Sequence, residues 1–245
     1  MSVIDDLLAE PTHDAAIRDV RVGAFFTVLS TEHGAGMAAT LRDARAPHSQ
    51  GLIRWAGELA SHTARELAEL LRSQSPMEAS LGMAAVHALL GVPRREAVQQ
   101  NAVDLLVRRS EGKRVAVVGH FPFIPKVRAV ASHLAVLELD PGEGELPAGA
   151  AGETLPGAEV VAMTGTTIVN KTFETLLSYC SPQAFVTVIG PTTPLSEVLF
   201  DYGVDLIAGT RVVDAALAMA LAGQGAIFTQ MRGLRLMTIQ KESRG

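Results

Sequence analysis

Val115-Ala-Val-Val-Gly-His-Phe-Pro-Phe-Ile124 opens as an unbroken apolar, β-branched run and stops abruptly at Gly119-His120-Phe121-Pro122. A run without polar alternation reads as a strand buried on both faces of a parallel sheet, and the Gly-His-Phe-Pro that ends it as a loop delivered to a ligand crevice. Ala184-Phe-Val-Thr-Val-Ile-Gly-Pro-Thr-Thr-Pro-Leu195 repeats the grammar: apolar strand, glycine, polar loop, then a helix-compatible segment. Loops at the carboxyl ends of neighbouring strands face each other. Around these two, apolar runs at 113–118, 134–139, 159–163, 184–189 and 204–208 alternate with helical segments near 124–131, 168–179, 195–202 and 213–221. That alternation predicts right-handed crossovers and a parallel sheet. Residues 233–239 partly alternate and read as an edge strand, and the Gly/Pro/Glu-rich stretch from Pro141 past Gly152 as a long, mobile loop.

The first part of the chain has a different pattern. Residues 19–30 read as one strand, Gly34 and Gly36 punctuate a turn, and 37–41 supply an antiparallel partner. Leu67, Leu70 and Leu71 stand at helical spacing within 63–71, and Ser75-Pro-Met-Glu78 opens a second helix with an N-cap, a proline at its first position and an early acid. Gly91-Val-Pro93 is expected to end it, and 101–109 forms a short amphipathic connection. The fold class is therefore α/β, with a small N-terminal α+β domain over 1–110 and a parallel-sheet domain over 111–245. No internal repeat is present.

Composition narrows the function. In 245 residues, 48% are hydrophobic, enough for a full core, and the net charge of −5 comes without a basic run interleaved with aromatics. Nucleic acid is not an expected partner. The single Cys180 excludes an intrachain disulfide framework and fits a reducing compartment. The first ten residues are acidic where a secretory signal would be basic, and no apolar stretch approaches the roughly 18 residues that span a bilayer. No membrane association and a cytoplasmic location are expected. Apolar helix faces leave a homodimer as a further expectation.

Three loops can carry chemistry. Gly119-His120-Phe121-Pro122 sits where a dinucleotide fold places its glycine-rich turn, yet it has one glycine, and Pro122 and Pro125 lack the N–H donors a phosphate cradle uses. A pyrophosphate cofactor is disfavoured, while His120 either binds metal, exchanges a proton, or caps nearby backbone. Thr164-Gly165-Thr166-Thr167, with Asn170 and Lys171, clusters hydroxyls, an amide and an ammonium suited to an anionic ligand, against the plainer reading of helix capping. Gly190-Pro191-Thr192-Thr193 offers two hydroxyls in a stiff turn. None of the seven histidines falls in a close metal-ligand spacing. A metal site would therefore be assembled from distant segments, such as His120, Glu78 and His87 or the acids Glu138 and Asp140. Glu138 and Asp140 follow the second strand of the alternating part, where a dinucleotide fold's acid meets a ribose, although the missing glycines weaken that use.

Glu78-Ala-Ser-Leu-Gly-Met-Ala-Ala85, Val118-Gly-His-Phe-Pro122, Asn170-Lys-Thr172 and the run from Gly190 through Gly203 together resemble the family called putative heavy-metal chelation proteins. The resemblance covers most of the chain. It implies an enolase N-terminal-like first domain, a Rossmann-like second domain and a site between them. That site would draw on Glu78 and Ser80 from the first domain, and on His120, Thr164 to Thr167, Asn170 and Gly190 to Thr193 from the second. Where relatives are expected to carry Asn shortly after Glu-Ala-Ser, this chain has His87, either a further metal ligand or a core histidine. The leading expectation is a protein that binds a metal ion or a metal-chelating small anionic ligand, with His120 and Glu78, and His87 beside them, as metal ligands. The alternative is a lyase- or transferase-type enzyme using His120 as general acid/base, with Lys171 binding the anionic substrate.

Overall fold

The computed structural model describes residues 2–42, 52–90 and 101–241. Helix α1 (Val3–Ala9) starts with a capping box in which the Ser2 hydroxyl accepts from Asp5 N and the Asp5 carboxylate accepts from Ser2 N. Strands β1 (Ile17–Val22), β2 (Phe26–Thr31) and β3 (Ala35–Ala39) form a three-stranded antiparallel sheet in the order β1-β2-β3. The single strand expected over 19–30 is thus a hairpin. Gly23 makes the turn, its N–H donating to Phe26 O at 2.9 Å, and a Cβ there would lie 2.1 Å from Ala222 O. Helix α2 (Ala64–Ala68) carries a second capping box, from Thr63 and Glu66, and leads to α3 (Pro76–Leu89), whose N-cap is Ser75 as its sequence requires. The expected terminator Gly91–Pro93 lies outside the described residues.

The second sheet has seven strands: β4 (Arg114–Val118), β5 (His133–Glu138), β6 (Leu146–Pro147), β7 (Val160–Thr164), β8 (Phe185–Ile189), β9 (Leu206–Val212) and β10 (Leu234–Gln240). Its order is β10-β9-β8-β7-β4-β5-β6. All neighbours are parallel except β10, which pairs antiparallel with β9 at the edge. Helices α4 (Ala102–Ser110), α5 (Ile124–Arg128), α6 (Ala151–Thr154), α7 (Thr166–Val169), α8 (Phe173–Tyr179), α9 (Val198–Asp201) and α10 (Ala215–Gly223) accompany it. Although the sequence pattern puts 101–109 with the first unit, Ala102, Leu105 and Leu106 of α4 pack with Val115, Val117 and Val136 of the large sheet.

Two further expectations change. The helix expected over 168–179 is α7 and α8, separated where Lys171 takes a left-handed backbone conformation with φ of 64°. The loop after Pro141 is built rather than open: it holds β6 paired to β5, then two 3₁₀ turns flanking α6. No described helix is long and apolar enough to cross a membrane.

Helix α3 holds the two sheets together. Nearly every side chain on it is buried, as a helix apolar on all sides requires. Full burial of residues such as Leu81 and Met83 contributes about 1.5–3 kcal/mol each. Glycines permit the close approach: a Cβ on Gly36 of β3 would lie 2.0 Å from Ala84 O, and one on Gly82 would lie 2.1 Å from Leu71 N. The opposite face of the small sheet is covered by the helix between β9 and β10, with Phe26, Val28 and Met37 packed against Ala218, Met219 and Ala222 of α10. Tyr202 next to α9 donates to Asp6 of α1 at 2.6 Å.

Candidate functional site

From β4 the chain passes to β5 on one side and returns to β7 on the other, so the order of the sheet reverses between β4 and β7. Loops leaving the carboxyl ends at such a reversal diverge and open a crevice. A cavity of about 420 Å³ lies there, lined by residues from Val118 to Tyr179, a size suited to one small organic ligand. Gly119 opens the loop after β4 with φ of +109° and donates its N–H to Leu137 O. A Cβ there would lie 3.1 Å from Thr164, at the end of β7.

Seven of the residues singled out by sequence meet in this cavity: His120, Glu138, Thr164, Thr166, Thr167, Asn170 and Lys171. Thr166 N–H and Oγ1 both turn to Thr164 Oγ1, and Thr167 Oγ1 donates to Thr164 O at 2.7 Å. Asn170 Oδ1 accepts from Thr172 N and Oγ1, closing a local turn ahead of α8. The strained Lys171 directs Nζ to Ser73 O and, at 3.4 Å, to Val169 O. Its partners are carbonyls, with no carboxylate among the described residues, and burial pushes its ammonium below the ordinary lysine range.

His120 is largely exposed at the rim, with Nδ1 2.6 Å from Glu145 Oε1. Glu145 also accepts from Gly142 N, and these two hydrogen bonds, Gly142 first, hold its carboxyl below the usual range. An ionised Glu145 accepts from Nδ1–H, which leaves His120 Nε2 as the ring nitrogen available to a ligand. Glu145 was not among the sequence candidates. It lies 25 residues beyond His120 in a segment that reads as loop, and only the β5–β6 pairing brings it back.

Elsewhere the candidates separate. Glu78 is buried and paired bidentately with Arg54, Oε1 to Nε and Oε2 to Nη2, each at 2.8 Å. The Arg54 pairing, helped by the Ser73 hydroxyl, holds its carboxyl at about 2 despite burial. Ser80 Oγ donates to Pro76 O and accepts from Leu41 N. His87 lies against the main chain of Met37 and Thr192, where desolvation pushes it down to about 4 and leaves the ring neutral. It borders a separate cavity of about 120 Å³ with His13 and His33. The loop from Gly190 to Thr193 joins the sheets: Thr192 Oγ1 accepts from Ala39 N at 2.9 Å, and Pro191 O accepts from Thr210 Oγ1. Buried Thr193 packs so tightly on Gly165 that a Cβ there would lie 2.5 Å from Thr193 N. Phe121 stacks on Phe123 with centroids 4.7 Å apart.

Among the described residues, no three His, Cys, Asp or Glu side chains converge as a metal cage. Thiophilic metals favour thiolates, but burial pushes Cys180 up to about 11, and its Sγ donates to Leu176 O. The donors at the large cavity are one imidazole nitrogen and hard oxygens. They fit a single protein ligand to a metal complex, not a heavy-metal cage.

A family model described as "Putative heavy-metal chelation" (DUF364) matches residues 101–241. A second with the same description (DUF4213) matches residues 4–90. The crystal structure of a DUF364-family protein of unknown function from Desulfitobacterium hafniense superposes with a TM-score of 0.84 at 26% identity, over 98% of this chain and 97% of that one. A DUF364-family structure from Pyrococcus horikoshii gives 0.80 at 19% identity, covering 98% of each chain, a likeness of fold alone. An uncharacterized protein of Methanocaldococcus jannaschii is 28% identical over 152 residues, a match spanning 58% of this chain and 58% of that protein.

Proposed function

Since the chain belongs to the DUF364 family of putative heavy-metal chelation proteins, we propose that its large cavity binds a small anionic organic ligand, and that any metal ion arrives as that ligand's chelate. The carrying observation is the convergence of His120, the Thr164–Thr167 hydroxyls, Asn170 and Lys171 on one cavity at the sheet reversal. Lys171, without a carboxylate partner among the described residues, supplies positive charge, and Thr164, whose Oγ1 accepts from Thr166 and keeps its own proton, supplies a hydroxyl donor. His120 Nε2, with Nδ1 held by Glu145, adds one metal ligand of the carboxylate–histidine kind. The remaining donors come from the organic ligand. The same dyad supports a second reading, in which His120 transfers protons on a small anionic substrate.

Calorimetry with malonate, alone and with Zn²⁺, tests the first reading. Malonate is expected to bind wild-type protein and to bind Lys171→Ala at least tenfold more weakly. Zn²⁺ is expected to strengthen malonate binding in wild type and not in His120→Ala. Stoichiometric Zn²⁺ binding without malonate that survives His120→Ala would overturn the proposal, as would malonate binding indifferent to Lys171.

A further inference from the structure

On the β5 side of β4, away from the threonines that follow β7, the large cavity is lined by a group with no role in the proposed anion site. Glu138, the last residue of β5, lines the cavity. Its Oε2 accepts from Leu139 N at 3.0 Å, and it has no ion pair among the described residues. In open parallel sheets that bind nucleotides, an acid at the end of the second strand, about 20 residues after the glycine turn of the first, accepts hydrogen bonds from ribose hydroxyls. Glu138 follows Gly119 by 138 − 119 = 19 residues, and its strand β5 is hydrogen-bonded directly to β4.

Two large side chains of the same cavity lining are left partly open to solvent. Leu139 is 77% exposed and Tyr179 is 40% exposed, and both line the same cavity. An added Cβ on Gly152 would lie 3.7 Å from Tyr179 Cζ, so bare backbone sits beside the phenol end of that ring. A leucine and a tyrosine left open at a cavity mouth suit a flat aromatic group. The phosphate end of the usual nucleotide site is absent: Pro122 and Pro125 carry no N–H, and Ile124 N and Lys126 N at the start of α5 already donate to Phe121 O and Phe123 O.

Resting on the reading of this cavity as a small-ligand site, we infer that the ligand is of the ribonucleoside class and lacks a pyrophosphate. Glu138 accepts from the vicinal 2′- and 3′-hydroxyls, Leu139 and Tyr179 hold the base, and an anionic substituent reaches Lys171.

The experiment is a calorimetric titration of the full chain with adenosine, guanosine, cytidine and uridine, each against its 2′,3′-dideoxy analogue, with malonate in parallel. At least one ribonucleoside is expected to bind, its dideoxy analogue at least tenfold more weakly. In Glu138→Gln, its circular dichroism unchanged, the two are expected to bind within threefold of each other. If a ribonucleoside and its dideoxy analogue bind wild type equally, or no ribonucleoside binds, the inference falls. Malonate then separates the causes: binding that depends on Lys171 leaves the small-anion reading standing, whereas no binding of either class removes both.

Discussion

Replacing Arg54 with alanine leaves a buried carboxylate without its cation. Glu78 is 6% exposed and accepts from Arg54 Nε, Nη2 and backbone N, each at 2.8 Å, and from Ser73 Oγ. A carboxyl held at about 2 rather than 4.5 corresponds to roughly 3 kcal/mol at about 1.36 kcal/mol per pH unit. The Arg54 side chain is 53% exposed, so solvent screening trims the expected loss to about 2 kcal/mol. For a chain of this size that lowers Tm by roughly 4–8 °C. The sign with pH follows from the depressed value: the pair's contribution is fully present above about 4.5 and is lost as pH falls towards about 2. Urea unfolding followed by circular dichroism at pH 7, 5 and 3 reads this directly. The gap between wild type and Arg54→Ala is expected to be full at pH 7 and narrower at pH 3. A gap below about 0.5 kcal/mol at pH 7, or one unchanged at pH 3, would refute the account of Glu78 as a neutralised latch. The consequence reaches the cavity, because Ser73 links this latch to Lys171 through its backbone carbonyl.

Lys171 holds a left-handed backbone at φ of 64°, which costs a side-chain-bearing residue about 1 kcal/mol. Lys171→Gly should therefore be more stable than Lys171→Ala by about that amount in urea titrations, and equal stabilities would contradict the strain. At Gly36 an added methyl meets the Ala84 carbonyl oxygen at 2.0 Å, so Gly36→Ala should cost about 2 kcal/mol or more; an unchanged Tm would show that β3 and α3 separate freely. Cys180, pushed from 9.0 to about 11 by burial, should react with a disulfide reagent at pH 8 roughly 100-fold more slowly in the native protein than in urea. Rates within threefold of each other would mean that the thiol is open.

Fold and site were legible in the sequence to different depths. The β4 and β8 strands and their loops were readable because an apolar run ending in glycine is a local signal, as is Ser75-Pro-Met-Glu78 at the start of α3. The break between α7 and α8 was missed because Asn170-Lys171 carries no glycine or proline, and the hairpin within 19–30 because Gly23 sits in an otherwise strand-like run. Loop residues after β4 and β7 line one cavity, since parallel crossovers deliver them to one sheet edge, whereas β8, read as a neighbour of β4, is separated from it by β7, and its Gly190–Thr193 loop packs on the small sheet instead.

What the sequence by itself determined is therefore the alternation of elements and the chemistry at strand ends, both encoded within a few neighbouring residues. Only the tertiary structure decided which acid meets which base. Glu78 faces Arg54, 24 residues before it, and His120 meets Glu145, 25 residues after it. Those partnerships depend on strand order and on backbones brought close by glycine, and neither leaves a periodic trace in the chain.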